Sequence, residues 1–160
     1  MLAPLHLHLP DERATRLLGE QLAAALQPGV SVHLSGDLGS GKTTLARGIL
    51  NGLGFTGRVK SPTYTLLEPY TDSRLTLYHF DFFRFRNPEE WREAGFRECF
   101  NERAISVVEW PEKAAGLLPP PDLRVCLAMA PTEGREATLE AHTEAGRWCL
   151  SDLAHTRSAR

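Results

Sequence analysis

The stretch GDLGSGKTT, Gly36 to Thr44, restricts the fold of this chain more than any other feature. Its first eight residues, Gly36 to Thr43, satisfy the pattern GxxxxGK[ST] at every fixed position. Each fixed position has a physical reason. Glycines let the backbone curl until successive N–H groups point at phosphate oxygens, and the helix behind them adds the positive end of its dipole. The lysine reaches the β- and γ-phosphates, and the hydroxyl after it meets Mg²⁺. The context agrees. The apolar run Val30 to Leu34 predicts a strand that feeds the loop, and Thr43 to Leu53 predicts a helix behind it, ended by Gly52 and Gly54. Chains of this composition would carry the pattern by chance in about 2 of 1,000 cases. Gly36, Asp37, Leu38, Gly39, Ser40, Gly41, Lys42, Thr43 and Thr44 are therefore candidate nucleotide-binding residues. Lys42 is also a candidate catalytic group, and Thr43 a candidate metal ligand.

The rest of the chain alternates elements of both periods. Leu5 to Leu9 alternates apolar and polar residues and predicts a strand. Pro10-Asp11 opens a helix whose apolar positions Ala14, Leu17, Leu18, Leu22, Ala25 and Leu26 recur at helical spacing until Pro28-Gly29 stops it. Tyr64 to Tyr70 and Leu75 to Phe83 read as strands joined by the turn TDSR. Asn87 to Phe100 reads as a helix with Asn87 as cap, Pro88 at its first position and Gly95 as a possible break. Ala104 to Val108 is a further apolar strand, Pro111 to Leu117 one or two helical turns, and Leu123 to Met129 with Ala137 to Ala141 a late hairpin. A strand–helix–strand opening followed by strands adjacent in sequence predicts an α/β fold. Its central sheet mixes parallel and antiparallel pairs and is flanked by helices. One domain over residues 1–154 suits the 160-residue length, with residues 155–160 expected as a disordered tail.

Composition narrows the function. A net charge of -2 demands neither a nucleic-acid nor a membrane partner. No apolar run approaches the roughly 20 residues that span a bilayer, and the first ten residues lack the basic segment of a secretory signal. Cys99, Cys126 and Cys149 are odd in number and widely spaced, which fits a reducing cytoplasm, with Cys126 in an apolar run expected as a buried thiol. His6 and His8 share one strand face and are expected to be exposed rather than metal-bound.

A phosphate loop does not name a reaction. Two apolar runs end in an acid, LTLYHFD at Asp81 and AISVVE at Glu109. A carboxylate at the C-terminal edge of a core strand can lean toward Mg²⁺ and its waters, although either acid could instead cap its strand or pair with an arginine. SPT, Ser61 to Thr63, lies in a turn-rich segment. Read by itself, it is an ordinary turn. A guanine switch is disfavoured: no Asn precedes a Lys, and no Asp has Gly three residues later. A small-molecule kinase stays open, since the loop suits one and Arg84, Arg86, Arg92 and Arg97 could clamp phosphate; interleaved glutamates favour a solvated helix face instead. A scaffold that binds nucleotide without hydrolysing it also stays open.

Taken together, GDLGSGKTT, SPTYTLLEPY, YHFDFFRF and VVEWPE resemble, in their order, the TsaE (YjeE) family of bacterial ATPases with a P-loop NTPase fold. The resemblance spans about Leu9 to about Leu150. It implies that Gly36 to Thr44 bind ATP and that Thr43 and Glu109 hold Mg²⁺. Asp81 would be an essential carboxylate near the γ-phosphate, and Ser61, Pro62 and Thr63 a switch-like loop, with Thr63 among the catalytic groups. Trp110 would lie beside the nucleotide. The segment Asp11 to Thr15, with Glu12, and Arg135 would lie near the adenine or ribose. The family often has Tyr where this chain has Phe83. The resemblance further implies ATP hydrolysis, slow without partners, within the machinery that places threonylcarbamoyladenosine in tRNA. The partner would be a TsaB–TsaD-type complex, with tRNA engaged at least indirectly.

Overall fold

The computed structural model describes residues 3–159. Met1, Leu2 and Arg160, the last of them part of the expected tail, lie outside the described residues. Seven strands form one sheet: β1 (Leu5–Leu9), β2 (Ser31–Ser35), β3 (Leu67–Thr71), β4 (Thr76–Asp81), β5 (Ala104–Glu109), β6 (Leu123–Met129) and β7 (Arg135–Ala141). Their order across the sheet is β1-β7-β6-β2-β5-β4-β3. The central pairs β6–β2, β2–β5 and β5–β4 are parallel, and β1–β7, β7–β6 and β4–β3 are antiparallel. The mixed sheet expected from the sequence is the one observed. Pro69 sits in β3, an edge strand, where a missing N–H breaks no ladder between neighbours.

Helix α1 (Glu12–Ala23) starts at Asp11, whose carboxylate accepts from the Ala14 N–H at 2.8 Å. Helix α2 (Lys42–Gly52) follows the glycine loop. Both cover one face of the sheet, where Leu18, Leu22, Leu45 and Ile49 pack on Val32, Leu34, Ile105 and Val107 in one buried cluster. On the opposite face an aromatic cluster of Phe80, Phe82, Phe85 and Trp91 packs beneath α3 (Glu89–Ala94) and the short turn Pro111–Ala114. Asp122 ties β2, β6 and the final helix together. Its carboxylate accepts from the Ser31 N–H and the Thr143 hydroxyl, both at 2.7 Å.

Several expectations need correction. The single helix over Asn87 to Phe100 is two pieces, because Gly95 turns left-handed (φ 73°) after α3 and only a short 3-10 turn, Arg97–Cys99, follows. Tyr64 to Leu66 is not strand; Leu66 adopts a positive φ of 68° that breaks the extended run before β3. Residues 144–158 form an unforeseen helix, α4 (Glu144–Ser158), capped by Thr143, which takes the Gly146 N–H at 3.1 Å. Cys149, Leu150 and Leu153 of α4 enter the core. The helix continues through residues 155–158 of the expected tail, where Arg157 donates to the Gln21 side chain at 2.7 Å. The deeply buried thiol is Cys149, at 3.1 Å from the Ala25 carbonyl oxygen, whereas Cys126 is half-buried. His6 and His8 are exposed, beside Thr138 and Glu136 of β7. Among the described residues no helix is long and apolar enough to cross a membrane.

Candidate functional site

Three parallel strands and the loop after β2 converge on one cavity. Gly36 has a φ of 148°, and a Cβ there would collide with the Leu127 carbonyl oxygen and the Ser40 hydroxyl, so only glycine lets the loop fold this closely. The loop closes at Gly41, the N-cap of α2, where no side chain caps the helix. The first-turn N–H groups therefore remain free to meet an anion, at the positive end of the dipole.

The cavity holds about 640 Å³, within the range of roughly 300–1,000 Å³ usual for small-molecule sites. Leu38, Gly39, Gly41, Lys42, Thr43 and Thr44 line its floor. Thr63, Asp81, Phe83, Glu109 and Trp110 form one wall. Asp11, Glu12, Thr15, Glu133, Gly134 and Arg135 form the other. Gly36, Asp37 and Ser40 do not face it. Instead the Gly36 and Asp37 carbonyls accept from the Lys42 ammonium at 2.5 and 2.9 Å, with the Ser40 hydroxyl at 3.4 Å. The Trp110 ring centroid lies 4.3 Å from that ammonium. Burial pulls the Lys42 pKa down against the raising effect of Glu109, Glu112, Asp81 and Asp37.

Both strand-end acids reach this floor, for a reason that lies in the sheet. β4 and β5 are parallel neighbours in a register that sets Asp81 opposite Glu109. Glu109 accepts from the Thr43 hydroxyl at 3.0 Å through one oxygen, and its other oxygen lies 2.6 Å from His79 Nε2. Asp81 accepts from the Phe83 N–H at 2.9 Å and from the Thr63 hydroxyl at 3.2 Å. Burial raises the Asp81 pKa; the Phe83 bond opposes this and the nearby Glu109 charge adds to it. Thr63 in turn lies 2.9 Å from the Ser61 hydroxyl. Trp110 takes a positive φ of 59°, a strained backbone for a bulky residue, and packs on Phe83 with ring centroids 5.0 Å apart.

Oxygen donors from a hydroxyl and a carboxylate suit a hard cation such as Mg²⁺. Among the described residues no group of three or more His, Cys, Asp or Glu forms a protein-only metal cage. The donors fit a cation that shares its coordination with phosphates and water. Arg135 reaches across to the loop and donates to the Gly39 carbonyl at 2.9 Å. None of Arg84, Arg86, Arg92 and Arg97 lines the cavity; Arg84 stacks on Tyr64, Arg92 pairs with Glu89 and Arg97 stacks on Trp91. Sequence reasoning missed His79, whose signal was its place two residues before Asp81 on the same strand face. It also missed Glu133 and Gly134, which carry no local signal.

Comparisons with known proteins agree with one another. The family model described as threonylcarbamoyl adenosine biosynthesis protein TsaE matches residues 9–137. The chain is 41% identical over 153 residues to the tRNA threonylcarbamoyladenosine biosynthesis protein TsaE of Haemophilus influenzae, covering 92% of this chain and 96% of that protein. It is 37% identical over 132 residues to the protein of the same name from Bacillus subtilis, covering 82% and 81%. Among solved structures, the crystal structure of Bacillus subtilis YdiB superposes with a TM-score of 0.84 at 29% identity and 98% coverage of both chains.

Proposed function

We propose, starting from the fact that this chain belongs to the TsaE family, that it is the ATP-binding and ATP-hydrolysing component of the machinery that makes threonylcarbamoyladenosine in tRNA. One observation carries the nucleotide part. The Thr43 hydroxyl and the Glu109 carboxylate meet at 3.0 Å beside the uncapped start of α2, in a cavity that Lys42 and Asp81 also line. Phosphates would lie on the α2 N-terminus and draw Lys42 from the Gly36 and Asp37 carbonyls. Mg²⁺, held by Thr43 and Glu109, would offset phosphate charge. Asp81 and Thr63 would act at the γ-phosphate end. Glu12 and Arg135, which also line the cavity, would contact the adenine and ribose.

The protein works in the cytoplasm, and its ATP cycle serves a TsaB–TsaD-type complex rather than a small acceptor. The kinase reading loses support because the four arginines that would form a phosphate clamp stand off the cavity. Hydrolysis is weak without the partners and rises with them. Two measurements test this. Competition binding in the presence of Mg²⁺ should favour ATP over GTP. Depletion of the protein in its host, followed by mass spectrometry of tRNA nucleosides, should lower threonylcarbamoyladenosine. An unchanged nucleoside level would refute the pathway role, and robust phosphoryl transfer to a small metabolite without partners would favour the kinase.

A further inference from the structure

His79 is spent on one bond. Its side chain is wholly buried, Nε2 lies 2.6 Å from a Glu109 oxygen, and Nδ1 has no hydrogen-bond partner among the described residues. A carboxylate only accepts, so the proton in that bond belongs to Nε2. The sheet explains the meeting. His79 stands opposite Val107 in the β4–β5 register, and Glu109 is the next residue along on the same face of β5, within diagonal reach. His79 does not line the cavity. Whatever it contributes there passes through Glu109.

Glu109 is 2% exposed, and each of its oxygens is held: one by the Thr43 hydroxyl, the other by His79. A carboxylate gripped at one oxygen only can turn about its last torsion, which is broad and soft. Gripped at both, it presents one fixed edge to the cavity. An apolar side chain would fill the His79 position without the cost of burying a polar ring. The histidine is therefore better explained by what it does to Glu109 than by packing. We propose that His79 is the positioning residue of the cation site, fixing the Glu109 carboxylate so that its Thr43-facing oxygen is preset for the divalent cation that accompanies the nucleotide. This rests on the reading of Glu109 as a metal ligand. Partners that orient a ligating side chain typically contribute about 10- to 100-fold in metal affinity.

The test uses the full chain and a fluorescent ATP analogue, with binding measured in EDTA and across a Mg²⁺ titration. Melting curves verify that each variant is folded. His79→Leu should raise the Mg²⁺ concentration for half-maximal binding by about tenfold or more, and leave binding in EDTA within about twofold of the parent. His79→Gln, whose amide N–H can still reach Glu109, should recover most of the loss. In a Glu109→Gln background, His79→Leu should add no further shift, since the two act as one unit. Should His79→Leu fail to fold, His79→Asn, too short to reach Glu109, is read in the same way. A normal Mg²⁺ titration in folded His79→Leu or His79→Asn would overturn the proposal, as would shifts that simply add in the double variant. If Glu109→Gln itself leaves the Mg²⁺ titration unchanged, it is the metal assignment that fails.

Discussion

Replacing Gly48 with alanine should destabilise the protein, although helix propensity alone argues for the opposite. Gly48 lies inside α2, where alanine is favoured over glycine by about 0.8–1.0 kcal/mol. The structure sets a larger cost against that gain. Helices α1 and α2 cross with backbone against backbone. A Cβ on Gly48 would collide with the Arg16 carbonyl oxygen and come within 3.0 Å of its carbon and 3.1 Å of the Gly19 Cα. All three are backbone atoms, so no side chain can swing away and the helices must separate. Overpacking of this kind costs about 1–3 kcal/mol, and rigid backbone contact belongs at the upper end. After the propensity gain, a net loss of about 2 kcal/mol remains, which corresponds to a melting point lower by roughly 4–8 °C in a domain of this size. Function should suffer as well. Gly41 to Thr44 at the start of α2 and Asp11 to Thr15 at the start of α1 face the same cavity, so prying the helices apart widens it and weakens nucleotide binding. Thermal unfolding by circular dichroism, with nucleotide titration on the same preparation, gives both readouts. A Gly48→Ala variant that melts at or above the parent temperature would refute the close-crossing argument.

Asp81→Asn should bind nucleotide with near-parental affinity, because the Phe83 N–H can still bond the amide oxygen, while partner-stimulated hydrolysis falls at least tenfold. Its folded carboxyl titrates above the usual 3.8, so its charge lowers stability once pH rises through that window. The asparagine should therefore melt higher than the parent at neutral pH, and the advantage should vanish below about pH 4. His33 is buried, and burial followed by the Arg124 charge lowers its pKa from 6.5 to about 4. The unfolded chain then binds the extra proton between those values, so this contribution to stability is full above pH 6.5 and falls as pH drops toward 4. His33→Gln should flatten that acid limb by an amount on the order of 1–3 kcal/mol, read from urea midpoints across pH. Phe80, wholly buried with the Phe82, Phe96 and Phe100 ring centroids at 5.6, 5.3 and 5.1 Å, should cost about 3–5 kcal/mol when cut to alanine. The cost would read as a lower urea midpoint.

Local chemistry made part of this molecule readable before its structure. The loop from Gly36 to Thr43 dictates its own strand and helix, because few backbones other than a tight phosphate cradle require that glycine spacing. Asp81 and Glu109 were readable as strand-end acids, since each closes an apolar run. Helix α4 was not, because its buried face is sparse: Cys149, Leu150 and Leu153 point inward while Trp148 is 57% exposed. Its apolar stripe is too thin to recognise by period alone. The crossing of α1 and α2 was hidden for a different reason. Gly19 and Gly48 look like propensity losses in a linear reading and become meaningful only when the two helices are laid together. The wall made by Glu133 and Gly134 depends on where the β6–β7 turn falls in space, which no residue of that turn encodes.

The nonlocal pairing of the sheet is what turns two isolated acids into one site. β4 and β5 are joined through α3 and the Arg97–Cys99 turn, yet they lie side by side and parallel, so both deliver a carboxylate at the same edge. That edge adjoins β2, whose C-terminal end feeds the glycine loop. Side chains then divide the labour by the alternation of the strands. His79, Asp81 and Glu109 face the helices and the loop, while Phe80, Phe82 and Val108 face the aromatic cluster behind. The aromatic face anchors the strand ends, and the polar face inherits a fixed spacing. Thr63, on the loop before β3, is tied to this rigid edge through Asp81 at 3.2 Å, and the Leu66 carbonyl takes the Asp81 N–H at 3.0 Å. A phosphate that competes with Asp81 for the Thr63 hydroxyl would therefore act on the loop and on the strand end together. Under the proposed ATP cycle, this link would carry a change at the phosphates to the loop that bears Thr63.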